Sequence, residues 1–561
     1  MAIDKEKGGW TRRRFLEMVG RAGGAAAVYE TMTALGLMRV PDAWAGPQRL
    51  AQGSGTGKTV LILGAGVGGL TAAYELSLAG YKCEILEAQA RAGGRSLTAR
   101  RGTVITEEST RGVTRQECEF DEGLYLNMGP GRLPYHHRRV LNYCRELGVP
   151  LEVYVMSTTA NLYQDDKAFG GKPQFNRQIA YDTQGYISEL LSKAIDRKCL
   201  DGVLHEGDRV KLLDLLKSFG DLGATAKCAP EAFCGTTRAG CNVPLTVYTP
   251  CEPTPPLELS ALLDSEFWNH KFYQASEFEW QATLFQPVGG MDQIVEGFKR
   301  KVGHLIEYQS EVKEIRLLDD GVEVAVFDRQ TGGMCTKRGD YCLSNIPLPV
   351  LQKIPVTKFA PDFQKAVDRG KFDPACKYGW QADHRFWEDD PYQIYGGISY
   401  TTDIITQMWY PSNDYFSTKG TLTGAYIYEK QAEAFGDMSL ERRTKTALEG
   451  AIKLHPEFKD PKMVPPRLGL SIAWQNIPFQ RGGWAAWDAA STEDRDAYAR
   501  LLAPDRRFHV VGDQVSTLPG WQEGAMMSAE HVVNQIGGRR PLTAPQILHA
   551  PDTRRLVIGR G

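Results

Sequence analysis

The sequence predicts an α/β chain in which a parallel-sheet domain is assembled from separated stretches and joined to an α+β domain and a helical region. Three observations predict it. The apolar run Thr59–Leu63 passes through a glycine-rich turn into a helical stretch and then a second strand, Lys82–Leu86. Near the other end, Phe508–Gly512 has the composition of a buried strand, closes on Asp513 and leads to a helix running toward Ile536. Between these blocks, helical periodicity around 135–225 and strand-like runs at Tyr392–Tyr400 and Gly420–Tyr428 supply material for another domain.

With 561 residues, 42% of them apolar, the chain is long enough for two or three domains. Its formal charge of -2 supplies no broad positive field, which argues against nucleic acid as a partner. The 11 cysteines include no C-x-x-C pair, so neither a zinc ribbon nor a full disulfide framework is expected.

At the N-terminus, Thr11-Arg12-Arg13-Arg14-Phe15-Leu16, an Ala-rich stretch and the small-x-small site Ala43-Trp44-Ala45 resemble a twin-arginine export signal over residues 1–45. Export to the periplasm is the expectation. Arg21 and Glu30 interrupt the apolar stretch, so the alternative is an amphipathic N-terminal helix on a cytoplasmic protein. Residues 46–57, rich in Gly, Gln, Ser and Thr, are expected to be a linker. Their end superficially matches a P-loop, but Gln52 stands where glycine is required and the segment precedes its strand. No other stretch is long and apolar enough to predict a membrane span.

The strand Thr59–Leu63 is followed at once by Gly64-Ala65-Gly66-Val67-Gly68-Gly69, and Lys82–Leu86 by Glu87-Ala88. This is the order a dinucleotide requires. Gly64 permits the turn, Gly66 admits the pyrophosphate, Gly69 allows close helix packing, and the helix N-terminus offers free N–H groups to the phosphates. Glu87 is placed to accept ribose hydroxyls. Beyond it, Arg91-Ala92-Gly93-Gly94-Arg95 resembles the second pyrophosphate loop of the glutathione-reductase-like FAD superfamily, which implies FAD rather than NAD.

Three blocks in order, this one, Gln286-Pro287-Val288-Gly289-Gly290-Met291, and Gly512-Asp513 with Gly520-Trp521-Gln522-Glu523-Gly524-Ala525, resemble the flavin amine oxidase family from about Val60 to Ile536. The resemblance implies a discontinuous Rossmann-like FAD domain over 58–130, 285–350 and 465–540. It leaves a helical substrate region at 131–284, a substrate-binding domain at 351–464 and an irregular tail at 541–561. It places Gly512, Asp513 and residues 521–525 at the cofactor, with the last helix pointing its N-terminus at the flavin. Val312, in a strand-like Glu311–Ile315, would meet the adenine, and Lys377 would hold a water near flavin N5, where a lone lysine would otherwise be a solvated charge. Monoamine oxidases attach FAD to a cysteine that has no counterpart in 474–484, so FAD is expected to be non-covalent.

Asn127-Met128-Gly129-Pro130-Gly131-Arg132-Leu133-Pro134 resembles the G-P-x-R-L-P segment of L-amino-acid oxidases, in which the loop contacts FAD and the arginine pairs with the substrate carboxylate. A planar guanidinium matches a carboxylate with parallel hydrogen bonds. By the same resemblance Tyr426 adds a hydrogen bond to that carboxylate, Gly520 and Trp521 stand over the substrate, and Trp484 is a candidate for the facing wall, with core packing the alternative for all three aromatics. The expected reaction is oxidative deamination of an L-amino acid with molecular oxygen, giving a 2-oxo acid, ammonia and hydrogen peroxide. Its rivals are a flavin amino-acid 2-monooxygenase, a monoamine or polyamine oxidase, and an exported flavin-binding redox protein without oxidase turnover. Dimerisation is implied by the family alone. His136-His137 reads as the solvated start of a helix, so no metal site is expected. Cys228, Cys234, Cys241 and Cys251 have no family counterpart and read as a structural loop with one or two disulfides, or none.

Overall fold

The structure, a computed structural model, describes residues 46–47, 49–200, 203–224 and 228–539. The expected export signal and the tail lie outside the described residues. The stretch expected to be a linker is not free from Arg49 onward. Arg49 pairs with Glu75 and Glu146, Leu50 packs on the core, and the Gly55 N–H donates to Ala79 O at 3.0 Å.

Five strands form a wholly parallel sheet in the order Ile306–Glu307, Lys82–Leu86, Thr59–Leu63, Tyr341–Ser344, Phe508–Val510. The inner strands Thr59–Leu63 and Tyr341–Ser344 are short and largely apolar because both faces are covered. The helices Val67–Leu78 and Gln522–Ile536 pack against one another within the core that covers one face. A four-stranded sheet, Met334–Gly339, Val322–Asp328, Ser310–Leu317 and Val356–Thr357, packs over the other, sharing a core with Leu61, Leu63 and Val510. Since all five strands run the same way, their C-terminal ends open on one edge, the edge where parallel sheets bind ligands.

The second large sheet is mixed and has seven strands in the order Gln174–Phe175, Leu162–Gln164, Ile398–Thr401, Gln407–Trp409, Gly420–Tyr428, Ala375–Ala382, Gly469–Ala473. The strand expected at Tyr392–Tyr400 begins only at Ile398; residues before it turn through Gly396 and Gly397, both at positive φ. The strand Gly469–Ala473, expected in the cofactor domain, instead closes the edge of this sheet.

The region 135–225 is not helical throughout. Helices Arg138–Glu146, Asn176–Asp196 and Glu206–Gly220 are interrupted by strands Leu151–Tyr154 and Leu162–Gln164. The first of those strands pairs with Leu284–Pro287, which also pairs with Leu133–Pro134, so the chain on either side of the helical insert is drawn together. Disulfides Cys228–Cys234 and Cys241–Cys251 staple the loop beyond the helices. No helix among the described residues is long and apolar enough to cross a membrane.

Candidate active site

A cleft of about 510 Å³ runs from the C-terminal edge of the parallel sheet to the seven-stranded sheet. Three strand ends reach it: Leu63 delivers Gly64, Leu86 delivers Glu87, and Ser344 delivers Asn345. Val312 lines the same end, as do Ala88, Gly94 and Arg95. Gly66 and Gly68 also line the cleft, whereas Ala65, Gly69 and Gly512 shape the loops behind it. At Gly69 a Cβ would stand 2.2 Å from Gly64 O, so only glycine lets the helix approach the turn.

Glu87 is buried and accepts the Ala65 N–H at 2.8 Å and the Gln89 N–H at 2.9 Å. Burial raises its pKa while those two N–H groups oppose the rise. Asp513 accepts both terminal nitrogens of Arg95 and, at 2.8 Å, the Gly520 N–H, so the two glycine-rich blocks are tied through one carboxylate. Asn345 bridges the turn, accepting from Gly66 N at 3.2 Å and Gly69 N at 3.3 Å and donating to Val511 O. Its place was not foreseen, and the only local signal was a polar residue directly after an apolar strand.

Gln522 and Ala525 line the cleft beside Trp521, at the N-terminus of the last helix. Gln522 Nε2 donates to Ser96 Oγ at 2.9 Å, while its buried Oε1 has no partner and can accept from a ligand. Glu523 and Gly524 do not line the cleft. The Glu523 carboxylate instead accepts the Val140 N–H at 2.9 Å and the Arg139 N–H at 3.2 Å, capping the start of helix Arg138–Glu146. The side chain expected at the cofactor is thus engaged by that helix start. Gly524 is required by packing, since its Cβ would stand 2.2 Å from Leu518 O.

At the other end of the cleft, Lys377 and Tyr426 are direct cross-strand neighbours in an antiparallel pair, so their side chains rise from the same face. Lys377 is 2% exposed, and its Nζ donates to Gly129 O at 2.6 Å and Asn127 O at 3.1 Å. Burial, reinforced by the Arg132 charge, lowers its pKa well below the ordinary lysine range. The Trp409 and Tyr426 rings lie 4.4 and 5.0 Å from the same Nζ. Burial raises the Tyr426 pKa, and Arg132 opposes the rise.

Arg132 lies behind the cleft wall with Gly131, outside the residues that line the cleft, unlike Gly129 and Pro130. It is 5% exposed, and Trp280, Trp409 and Tyr154 lie over its guanidinium at 4.0, 4.6 and 5.9 Å. Its Nε and Nη1 are buried without a hydrogen-bond partner, while its side chain also interacts with the Tyr154 hydroxyl. A buried cation in that condition calls for an anion. Trp521 closes the box, tilted against Trp280 at 5.1 Å. Trp484 lines the cleft, packs over Gly520, and donates from Nε1 to Asp373 at 3.1 Å.

His136 and His137 precede a helix, and only His136 is partly exposed. His137 is 1% exposed, and both Nε2 atoms lie at hydrogen-bond distance from Glu279, 3.0 and 2.9 Å.

The cleft fits an extended dinucleotide: glycines and a helix N-terminus at one end, an unpartnered acceptor and a buried amine at the other. Comparison with known proteins agrees. The profile of the flavin containing amine oxidoreductases matches residues 67–537. The flavin-dependent L-tryptophan oxidase RebO of Lentzea aerocolonigenes is 27% identical over 502 residues, covering 85% of this chain and 98% of that protein. An L-amino-acid oxidase of Siganus canaliculatus is 24% identical over 506 residues, covering 86% of this chain and 85% of that one. Among solved structures, putrescine oxidase superposes with a TM-score of 0.53 at 16% identity, and a cyclohexylamine oxidase from Brevibacterium oxydans with 0.54 at 14%; each comparison covers 86% of this chain and 99% of the other. These two carry the fold alone. The chain binds FAD as its cofactor and belongs to the flavin-containing amine oxidoreductases.

Proposed function

We propose that this enzyme oxidatively deaminates L-amino acids to 2-oxo acids, ammonia and hydrogen peroxide, with FAD held non-covalently. One observation carries the substrate class: a buried Arg132 whose Nε and Nη1 lack partners, beside Tyr426 and Lys377. A substrate carboxylate would complete that guanidinium with charge-assisted hydrogen bonds. The aromatic rings over its faces leave its N–H edge to do the binding and exclude water from it. A simple amine would leave the cation unpaired.

With the carboxylate anchored, the substrate α-carbon and amine are directed toward the cleft end at Lys377, where bound FAD supplies the two-electron acceptor. With its pKa lowered by burial, Lys377 would act as a base, taking a proton from a water at Nζ as that water's oxygen bonds to the imine carbon. Trp521 and Tyr426 flank the substrate. Non-covalent attachment is supported by the cleft lining, which holds no cysteine among the described residues. Export is supported by the N-terminal sequence and by two disulfides, which suit an oxidising compartment. A homodimer is the proposed assembly, to be checked by sedimentation.

The deciding experiment offers purified protein a panel of L-amino acids and their decarboxylated amines and measures peroxide, ammonia and 2-oxo acid. Peroxide from the amino acids is expected. Turnover of the amines alone would overturn the substrate class, and amide with carbon dioxide would identify a monooxygenase.

A further inference from the structure

Outside the cleft, one cluster of ligating groups has no role in the reaction above. His136 and His137, on the segment that follows Arg132, and Glu279, on the short helical turn Phe278–Trp280, each direct one atom to a common point. The two Nε2 atoms and a Glu279 oxygen all lie within 4.8 Å of one another.

The rings are held in place by packing. His136 stacks on Phe278 at 4.2 Å, His137 meets the edge of Trp521 at 4.9 Å, and the two imidazoles are nearly perpendicular at 86°. The group is reachable, because the side chains of His136 and Glu279 are 17% and 22% exposed while His137 seals the inner side at 1%. Both Nδ1 atoms are buried without a partner, so no protein contact fixes either proton at Nε2. Moving each proton to Nδ1 presents two nitrogen lone pairs beside a carboxylate and breaks no contact other than those to Glu279.

We propose that His136, His137 and Glu279 form a binding site for one divalent transition-metal ion of the Zn²⁺ class. Two imidazole nitrogens and one carboxylate oxygen are the ligand types that zinc, cobalt and nickel accept. Three protein ligands leave a fourth, solvent-side position for water. The ion would join the Arg132 segment to the turn that carries Trp280, bracing the ring over the guanidinium.

The test uses the flavin-loaded full chain, treated with a chelator and dialysed, then titrated with Zn²⁺ or Co²⁺. One equivalent of bound ion is expected, with the visible difference spectrum of tetrahedral cobalt. Glu279→Gln and His136→Ala should each weaken binding by on the order of 100-fold, a ligand loss exceeding typical outer-shell effects. The control His384→Ala, on an imidazole that is 48% exposed, should leave binding unchanged. His137 is left intact because its burial makes misfolding the expected result of its removal. Absence of saturable binding, or binding that survives both Glu279→Gln and His136→Ala, overturns the proposal, and neither result bears on the substrate of the flavin site.

Discussion

Arg132 and Lys377 place two like-signed groups within one buried box, where burial and the Arg132 charge together lower the Lys377 pKa. Two predictions follow from that arrangement. Removing the guanidinium with Arg132→Ala should lower kcat/KM for amino acids by roughly 30-fold or more, mostly through KM, as loss of a buried charge pair costs about 2–5 kcal/mol. Flavin content should not change, since Arg132 does not line the cleft. Arg132→Lys should not restore the rate, because an ammonium cannot reproduce the planar edge; an unchanged KM in either variant would remove the carboxylate from the site. For Lys377 the test is linkage. Its folded pKa lies below its unfolded value, so between the two the unfolded chain binds the extra proton and stability rises with pH. Replacing it with methionine removes this slope. The Tm of the parent should therefore rise relative to that of Lys377→Met as pH goes from 7 toward about 10, the ordinary lysine range. A difference independent of pH would mean that Lys377 is protonated in the folded enzyme.

At the scale of elements, the loop 127–134 links the seven-stranded sheet to the small sheet of Leu133–Pro134, Leu284–Pro287 and Leu151–Tyr154, because its carbonyls hold Lys377 while Leu133–Pro134 pairs with Leu284–Pro287. Within it Gly131 faces the Trp409 ring, and a Cβ there would stand 2.7 Å from that ring. Gly131→Ala should push Trp409 off the guanidinium and cost about 1–3 kcal/mol of transition-state or folding energy, as overpacking does. Steady-state kinetics and a thermal melt on the same preparation separate the two, and retention of both rate and Tm would show that the ring is not held against Arg132. Such contacts mark the limit of what the sequence reveals. Strands with their own glycine turn, such as Thr59–Leu63, are legible because pattern and turn chemistry are local. Arg132 was legible through its short motif. Trp280, Trp409 and Tyr154 were not, since they come from three segments joined only by long-range pairing. The partners of the Glu523 side chain were hidden for the same reason. Glu523 sits in the right block, but the helix start it caps lies hundreds of positions away.

Across the whole molecule, each domain is assembled from distant pieces, and a few buried polar joints hold them. Arg443 makes a two-pronged pair with Glu107 at 2.8 and 2.9 Å, the partners 3% and 2% exposed, joining the hairpin Val104–Glu117 to the seven-stranded domain. Glu107→Gln should destabilise by about 3–5 kcal/mol because it strands a buried guanidinium; denaturant titration should show a lower midpoint, and a loss below about 1 kcal/mol would mean that water reaches the joint. The cofactor acts on the same scale. The cleft draws lining from three separated stretches, Gly64 and Glu87, Val312 and Asn345, Asp513 and Gln522, so bound FAD would meet pieces that the chain itself connects only through other segments. A ligand that binds the folded form alone adds RT ln(1 + [L]/Kd), about 2.7 kcal/mol at a free concentration of 100 Kd. Protein stripped of flavin should thus melt lower, and its Tm should climb with added FAD along that logarithmic curve. Arg95→Ala, which releases Asp513 from the first block, should flatten the curve by weakening FAD binding. A Tm indifferent to FAD in the parent protein would show that the separated pieces assemble fully without the cofactor.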